Sequence, residues 1–388
     1  MSKVKARTLL TLAILTLLHV PFSPTLLAKT NPLQDHHSPE FRALHTTRYQ
    51  DDAERIKKTF ENELYTLNAS TAGHYGLRMY RQTLDPKYSA AVWSDMARVA
   101  STLNGIAASI HTKEQAKEYG SKRLEEYRKK KTTRSQLRYQ ATKDKPEYLL
   151  IGLDMLGSMA RANEYGLKHK ADVQLRHLIK QFDFKPYATN PEMIRAWAAQ
   201  LANQVYWLRQ LGEQDIVDDF IHAFKNTYPD SQDKQLSDQQ FTNKIYGLTH
   251  IIFAASEYYQ QSVDPNEFAW IYDYFDNNID QILTRTKEDV VAEVGISYLL
   301  ANKLHSPVLA DTQSTIAHAI DINHDMIPST DGSFALQKGE HRNVLAIMLL
   351  NWQGVKNAPT VKNQPEVFKD RPYGLVNNNL MNNDLVTK

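Results

Sequence analysis

The chain contains no cysteine. That excludes disulfide staples, zinc sites built on thiolates, and lipid attachment at a processed cysteine. A chain of 388 residues buries enough apolar surface to do without such staples. Strand signals are scarce along its whole length. Neither sign of charge dominates, with 46 Lys+Arg against 44 Asp+Glu, so global charge gives no reason to expect a nucleic-acid partner. Nor is there an apolar run of the roughly 20 residues a membrane-spanning helix needs. The longest uninterrupted apolar tract before the helices is Thr8–Val20.

That tract sits between Lys3, Lys5 and Arg7 on one side and Pro21, Pro24 and Leu26-Leu27-Ala28 on the other. A positive start, a short leucine-rich stretch and a small residue at the break form the pattern of a secretory signal peptide, residues 1–28. The expected location is periplasmic or secreted, with no stable membrane span after cleavage. Cleavage would remove three basic residues and no acidic ones, leaving 43 against 44. Attraction for anions must then come from local sites. In a bacterial exported chain, Asn68-Ala69-Ser70 is a chance sequon.

What the sequence does have is helix. Ser38-Pro39, Asp85-Pro86, Asn190-Pro191 and Asp264-Pro265 each place proline after a capping residue, as at a helix start, and Asp144-Lys145-Pro146 is a near variant. Thr286 and Asp289 have capping-box spacing. Two kinds of helix alternate. Segments 148–162, 193–211, 245–259, 290–304 and 344–352 are apolar almost all round, which predicts burial on most faces. Segments near 40–66, 87–111, 168–182, 213–227, 265–284 and 308–323 are amphipathic and predict an outer layer. The buried kind begins near His74, Tyr148, Arg195, Tyr246, Val291 and His341, at gaps of 74, 47, 51, 45 and 50 residues. After the first gap, lengthened by a charged insertion at about 113–145, the period is near 48 residues, the length of a helical hairpin with its loops.

Six buried helices alternating with six amphipathic ones resemble the superfamily of six-hairpin barrels, the α/α toroids, over about residues 40–353. That superfamily includes many glycoside hydrolases, alginate and heparin lyases, and glucuronyl epimerases. The chain also resembles exported bacterial proteins with no assigned chemistry. The resemblance implies an all-α fold, an α/α toroid of about six hairpins spanning 29–353, followed by an irregular tail, 354–388. An open solenoid is the rival, disfavoured because the inner helices are too apolar for a wetted concave face. The resemblance also implies a cleft where inner helices begin, and there the converging N–H groups favour anions.

Four such helix mouths are polar. Gly73-His74-Tyr75-Gly76-Leu77-Arg78 opens the first, with glycines expected to let a ligand approach. Asn243, Tyr246 and His250 share one face of another. Glu288-Asp289 with Glu293 opens a third, and Gly339-Glu340-His341-Arg342-Asn343 a fourth, after the turn Asp331–Phe334. Each is equally compatible with capping and a satisfied core. Among these groups Glu293 with Glu340 or Asp289 is the one plausible carboxylate pair for glycoside hydrolysis. β-Elimination from a uronate needs a carboxylate clamp, a base and an acid. His250 or His74 as base, Tyr246 or Tyr75 as acid, and Asn243 with Arg342 or Arg78 as clamp fit those roles. His341, Glu293 and Glu340 join as further substrate-binding candidates. The resemblance therefore implies a polysaccharide lyase acting on an acidic polysaccharide or oligosaccharide. A hydrolase, a C5-epimerase and a non-catalytic binding scaffold remain alternatives. No cofactor and no metal are expected, since no His-Glu-x-x-His run occurs. The basic run from Lys122 to Lys145 reads as a solvated helix face or as a flap over the cleft. Tyr75, Tyr80, Trp197, Tyr206 and Trp207 are candidate sugar platforms or core.

Overall fold

The computed structural model describes residues 39–378, and these are mostly α-helical. The expected signal segment lies outside the described residues. The chain divides after Leu44, and the unit from His45 onward holds the core and the cleft.

The helices follow in order α1 (Pro39–Asn62), α2 (Ala69–Thr83), α3 (Ser89–Ser109), α4 (Lys113–Lys129) and α5 (Thr133–Thr142). A π-helical segment, Leu149–Met155, runs directly into α6 (Leu156–Glu164). Then come strand β1 (Leu167–His169), α7 (Asp172–Lys180), α8 (Lys185–Ala188), α9 (Pro191–Gln210), α10 (Val217–Thr227) and α11 (Asp238–Ala255). The chain continues with α12 (Ala269–Arg285), α13 (Glu288–Leu300), α14 (Pro307–His318), α15 (Leu336–Leu350) and strand β2 (Leu375–Asn377).

The segments apolar on every face are the buried ones. In α13 every residue from Val290 to Leu300 is buried, and in α15 every residue from Arg342 to Leu350. Removing such faces from water contributes about 25 cal/mol per Å² of apolar area. The buried helices pack in sequence: α6 on α9, α9 on α11, α11 on α13, α13 on α15, and α15 on α2. The last of them thus lies beside the first. The amphipathic helices back them, with α3 on α2, α10 on α9, and α14 on α13.

Local signals succeed where the backbone groups they satisfy are present. Asn190 caps α9, its Oδ1 accepting from the Met193 N–H at 3.0 Å. Asp264-Pro265 opens a turn instead, and α12 begins only at Ala269. The Thr286 hydroxyl donates to the Ile282 carbonyl at 2.7 Å and belongs to the end of α12, so no capping box forms. The charged insertion becomes α4 and α5, the first opened by a capping box of Thr112 and Gln115.

The described part of the tail is tied down, which its sequence did not announce. β2 pairs antiparallel with β1, Leu167 opposite Asn377, and Phe368 packs against Tyr165 at 5.4 Å between ring centroids.

Gly76 serves helix packing and not ligand approach. A Cβ there would lie 2.8 Å from the Ala91 Cβ on α3. Gly76→Ala is therefore expected to separate α2 from α3 and lower stability by about 1–3 kcal/mol, read as a lower midpoint in urea.

Candidate functional site

The α2 face that carries His74, Arg78 and Arg81 repeats at four and three residues, so all three project on one side of the helix. With Gly73, Ser94, Asp95, Arg98, Arg161, Trp207, Tyr258 and Tyr259 they line a cavity of about 520 Å³. His74 reaches out of it to α15, its Nδ1 lying 2.8 Å from Glu340 Oε1. The His74 and His341 rings are 5.7 Å apart, and His341 Nδ1 is 3.7 Å from Asp289 Oδ2 on α13. Tyr246 on α11 donates to that same oxygen. One turn along α13, Glu293 accepts from the Thr249 hydroxyl at 2.7 Å and stands 3.8 Å from His250 Nε2. The His250 Nδ1 side faces Asn203 Oδ1 at 3.1 Å and the Tyr258 hydroxyl at 3.4 Å. Tyr258 closes the circuit, since it lines the cavity where His74 began.

Residues from all four polar helix mouths therefore meet in one connected cluster. Two candidates do not join it, and a third reaches only its edge. Tyr75 is fully buried, stacked on Phe60 at 5.6 Å and edge-on to Tyr88. Its side chain packs among α1, α2 and the turn before α3. Asn243 donates to the Arg195 carbonyl at 2.8 Å and ties α11 to α9. Arg342 is held by the Pro328 carbonyl at 2.6 Å and by Glu288 at 2.9 Å, and touches the cluster through its Nη2, 4.0 Å from Asp289 Oδ1. Asn243 and Arg342 had to be satisfied because their helices are buried, whereas the Tyr75 hydroxyl is buried without a hydrogen-bond partner.

Burial sets the charge states. It pushes the Glu293 carboxyl up to about 8, helped by the Asp289 charge and opposed by the Thr249 hydrogen bond. It pushes Glu340 up to about 7 against the opposing pull of Arg78 and His341. It holds His74 well below the ordinary imidazole range, with the Arg78 charge adding to the effect. Below about pH 7 the His74–Glu340 contact is thus a neutral pair, a carboxylic acid donating to an imidazole. Asp289 goes the other way. Burial alone would raise it, but hydrogen bonds from His341 and Tyr246 outweigh burial and hold it at about 2. Burial, then the charges of His341, Arg78 and Arg134, lower His250 to about 3. Ring-carbon NMR of the His250 side chain should therefore show no protonation step between about pH 5 and about pH 8; a midpoint in that range would contradict this environment.

Several site residues escaped the sequence. Glu257, Tyr258 and Tyr259 follow α11 with φ of 51°, 56° and 73°, three consecutive left-handed non-glycine residues. Each such residue costs on the order of 1–3 kcal/mol. The turn is held by Ser256 Oγ, which accepts from the Tyr259 N–H at 3.0 Å. Arg134 comes from the charged insertion: α5 packs on α9 and carries the Arg134 guanidinium to 5.7 Å from the centre of the Tyr246 ring. Arg138, from the same helix, lies over Trp197 at 4.1 Å. Lys122, Arg128–Lys131 and Lys143 of the basic run are exposed, whereas Arg123, Arg134, Arg138 and Lys145 are half-buried. The Nε groups of Arg78, Arg81 and Arg134 are buried without a hydrogen-bond partner.

Below the cavity runs an ion network. Arg81 donates to Glu164 at 2.9 Å, Arg161 lies 3.2 Å from Glu164 and 3.6 Å from Asp95, and Arg98 lies 2.6 Å from Asp95. With Arg78, four guanidinium groups face two carboxylates. Among the described residues no group of three or more His, Asp or Glu side chains is placed to hold a metal ion. No helix among them is long and apolar enough to cross a membrane.

The family model described as "Domain of unknown function (DUF3541)" matches residues 49–378. No curated protein and no solved structure matches the chain.

Proposed function

We propose that this chain, which belongs to the DUF3541 family, is an exported carbohydrate-active enzyme that binds an acidic glycan in this cleft and cleaves it by β-elimination. The observation that carries the reading is the set of unpartnered guanidinium Nε groups, on Arg78, Arg81 and Arg134, beside a buried set of acids, imidazoles and phenols. A buried N–H without a partner costs about 1–3 kcal/mol, and an anionic ligand would supply the partner. The contact of α15 with α2 supports the α/α-toroid arrangement, which would bring the inner helix starts to one mouth.

In this reading the uronate carboxylate meets Arg78, and the protonated Glu340 turns its O–H from His74 Nδ1 to that carboxylate. Neutralising that carboxylate acidifies the C5 proton. The His74 Nδ1 lone pair freed by Glu340 takes the C5 proton, its basicity raised by the arriving negative charge. Tyr258 or Tyr246 gives a proton to the departing glycosidic oxygen as the C4–O bond breaks and the C4=C5 double bond forms. His250, which faces Asn203, Tyr258 and Glu293, is the alternative base.

One observation favours hydrolysis as a second reading. Glu293 is held protonated and Asp289 ionised, four residues apart on α13. Carboxyl groups whose environments push their pKa values apart are the mark of an acid and base pair.

Incubating the mature chain with a panel of uronate polymers separates the readings. Elimination is expected to give ultraviolet absorbance from unsaturated uronate ends. New reducing ends without that absorbance would replace elimination by hydrolysis. Neither signal from any acidic glycan would sink the enzyme reading and leave a binding scaffold.

A further inference from the structure

A second cavity of about 400 Å³ adjoins the first, and the two share Trp207 and Tyr258. The shared wall is aromatic, and its position is fixed by the left-handed turn at Glu257–Tyr259. The Tyr258 carbonyl also accepts from Arg81 at 3.4 Å. Aromatic faces pack against the C–H faces of pyranose rings, so each side of such a wall offers a seat for one sugar. Both volumes fall within the roughly 300–1,000 Å³ of small-molecule sites.

The two seats are unlike in charge. The first is lined by Arg78, Arg81, Arg98 and Arg161 against Asp95. The second is lined by Glu257, Asp264 and Glu267, with Glu164 at its inner end. Its one arginine, Arg209, is paired with Asp215 at 2.9 Å. A carboxylate or sulfate group is attracted to the first and repelled from the second. Repulsion of this kind selects among ligands as effectively as attraction does.

We propose that the cleft binds an alternating glycan, an anionic sugar in the arginine-lined cavity linked to a sugar without negative charge in the carboxylate-lined one, and discriminates against homopolymeric uronate. The inference rests on the acidic-glycan reading and narrows its substrate class. It does not depend on whether the chain cleaves the glycan by elimination or by hydrolysis.

The test is calorimetric titration of the mature chain with size-matched tetrasaccharides of two kinds, uronate alternating with a hexosamine and uronate throughout. The alternating ligand is expected to bind at least about threefold tighter. Glu257, Asp264 and Glu267 are exposed, so the double variant Asp264→Asn, Glu267→Gln leaves the core untouched and is expected to remove that preference by strengthening homouronate binding. Homouronate binding as tightly as the alternating ligand, or a preference unchanged in the double variant, overturns the inference and leaves the acidic-glycan reading standing. Binding of neither tetrasaccharide overturns both.

Discussion

Replacing Glu293 with Gln is expected to stabilise the protein at about pH 8 and to change it little at about pH 5, by up to about 4 kcal/mol between the two conditions. Glu293 is 2% exposed, and burial together with the Asp289 charge raises it from 4.5 to about 8. The folded state therefore holds a proton that the unfolded state releases above 4.5. Where the folded state binds more protons, stability falls as pH rises. The contribution is fully present below 4.5 and is lost on the way to about 8. Glutamine keeps an oxygen for the Thr249 hydroxyl and never has to ionise, so the loss disappears. Thermal melts of both proteins across this pH window check the result. Parallel curves for wild type and variant would mean that Glu293 is charged in the fold, and the proposed proton-donor role in hydrolysis would go with it.

Arg78→Ala is expected to lower kcat/KM on whichever acidic glycan proves active by about 10²–10³, with the protein still folded. Its Nε is buried without a partner, so no structural hydrogen bond through that nitrogen is lost. Its charge is what restrains the rise of Glu340 and deepens the fall of His74. Removing it should shift both groups upward, and the pH–rate profile should move to higher pH with them. Arg78→Lys restores charge without the planar fork and should return the profile towards its original position while recovering only part of the rate. A variant as active as wild type, or a rate loss with an unmoved profile, would remove Arg78 from the clamp.

Much of the helical framework was legible before any coordinates. The starts expected near Arg195, Tyr246, Val291 and His341 fall within α9, α11, α13 and α15, because an apolar surround is written into consecutive residues. The polar helix mouths were legible for the same reason: a His, Glu or Tyr interrupting an apolar run stands out. Their fates were not. His74 and Arg78 face a cavity while Tyr75, their neighbour in sequence, turns into the core. Arg342 looked as available as Arg78 until Pro328 and Glu288 were seen to occupy it. Tyr258 gave no signal at all, since nothing in a 3.6-residue pattern marks a left-handed turn without glycine. Arg134 lay within a run whose charge had two readings, and the packing of α5 on α9 turned that residue inward.

The sequence by itself determined that this is an all-α chain with buried and backing helices in alternation, because helix periodicity and burial pattern are properties of neighbouring residues. The tertiary structure alone decided which polar groups line the cleft and which are consumed as ties between helices. It also decided that Glu293 and Glu340 hold their protons to higher pH than ordinary carboxyls while Asp289 gives up its own more readily. Those outcomes depend on desolvation and on charges brought from helices more than forty residues apart in the chain, and no local pattern encodes that proximity.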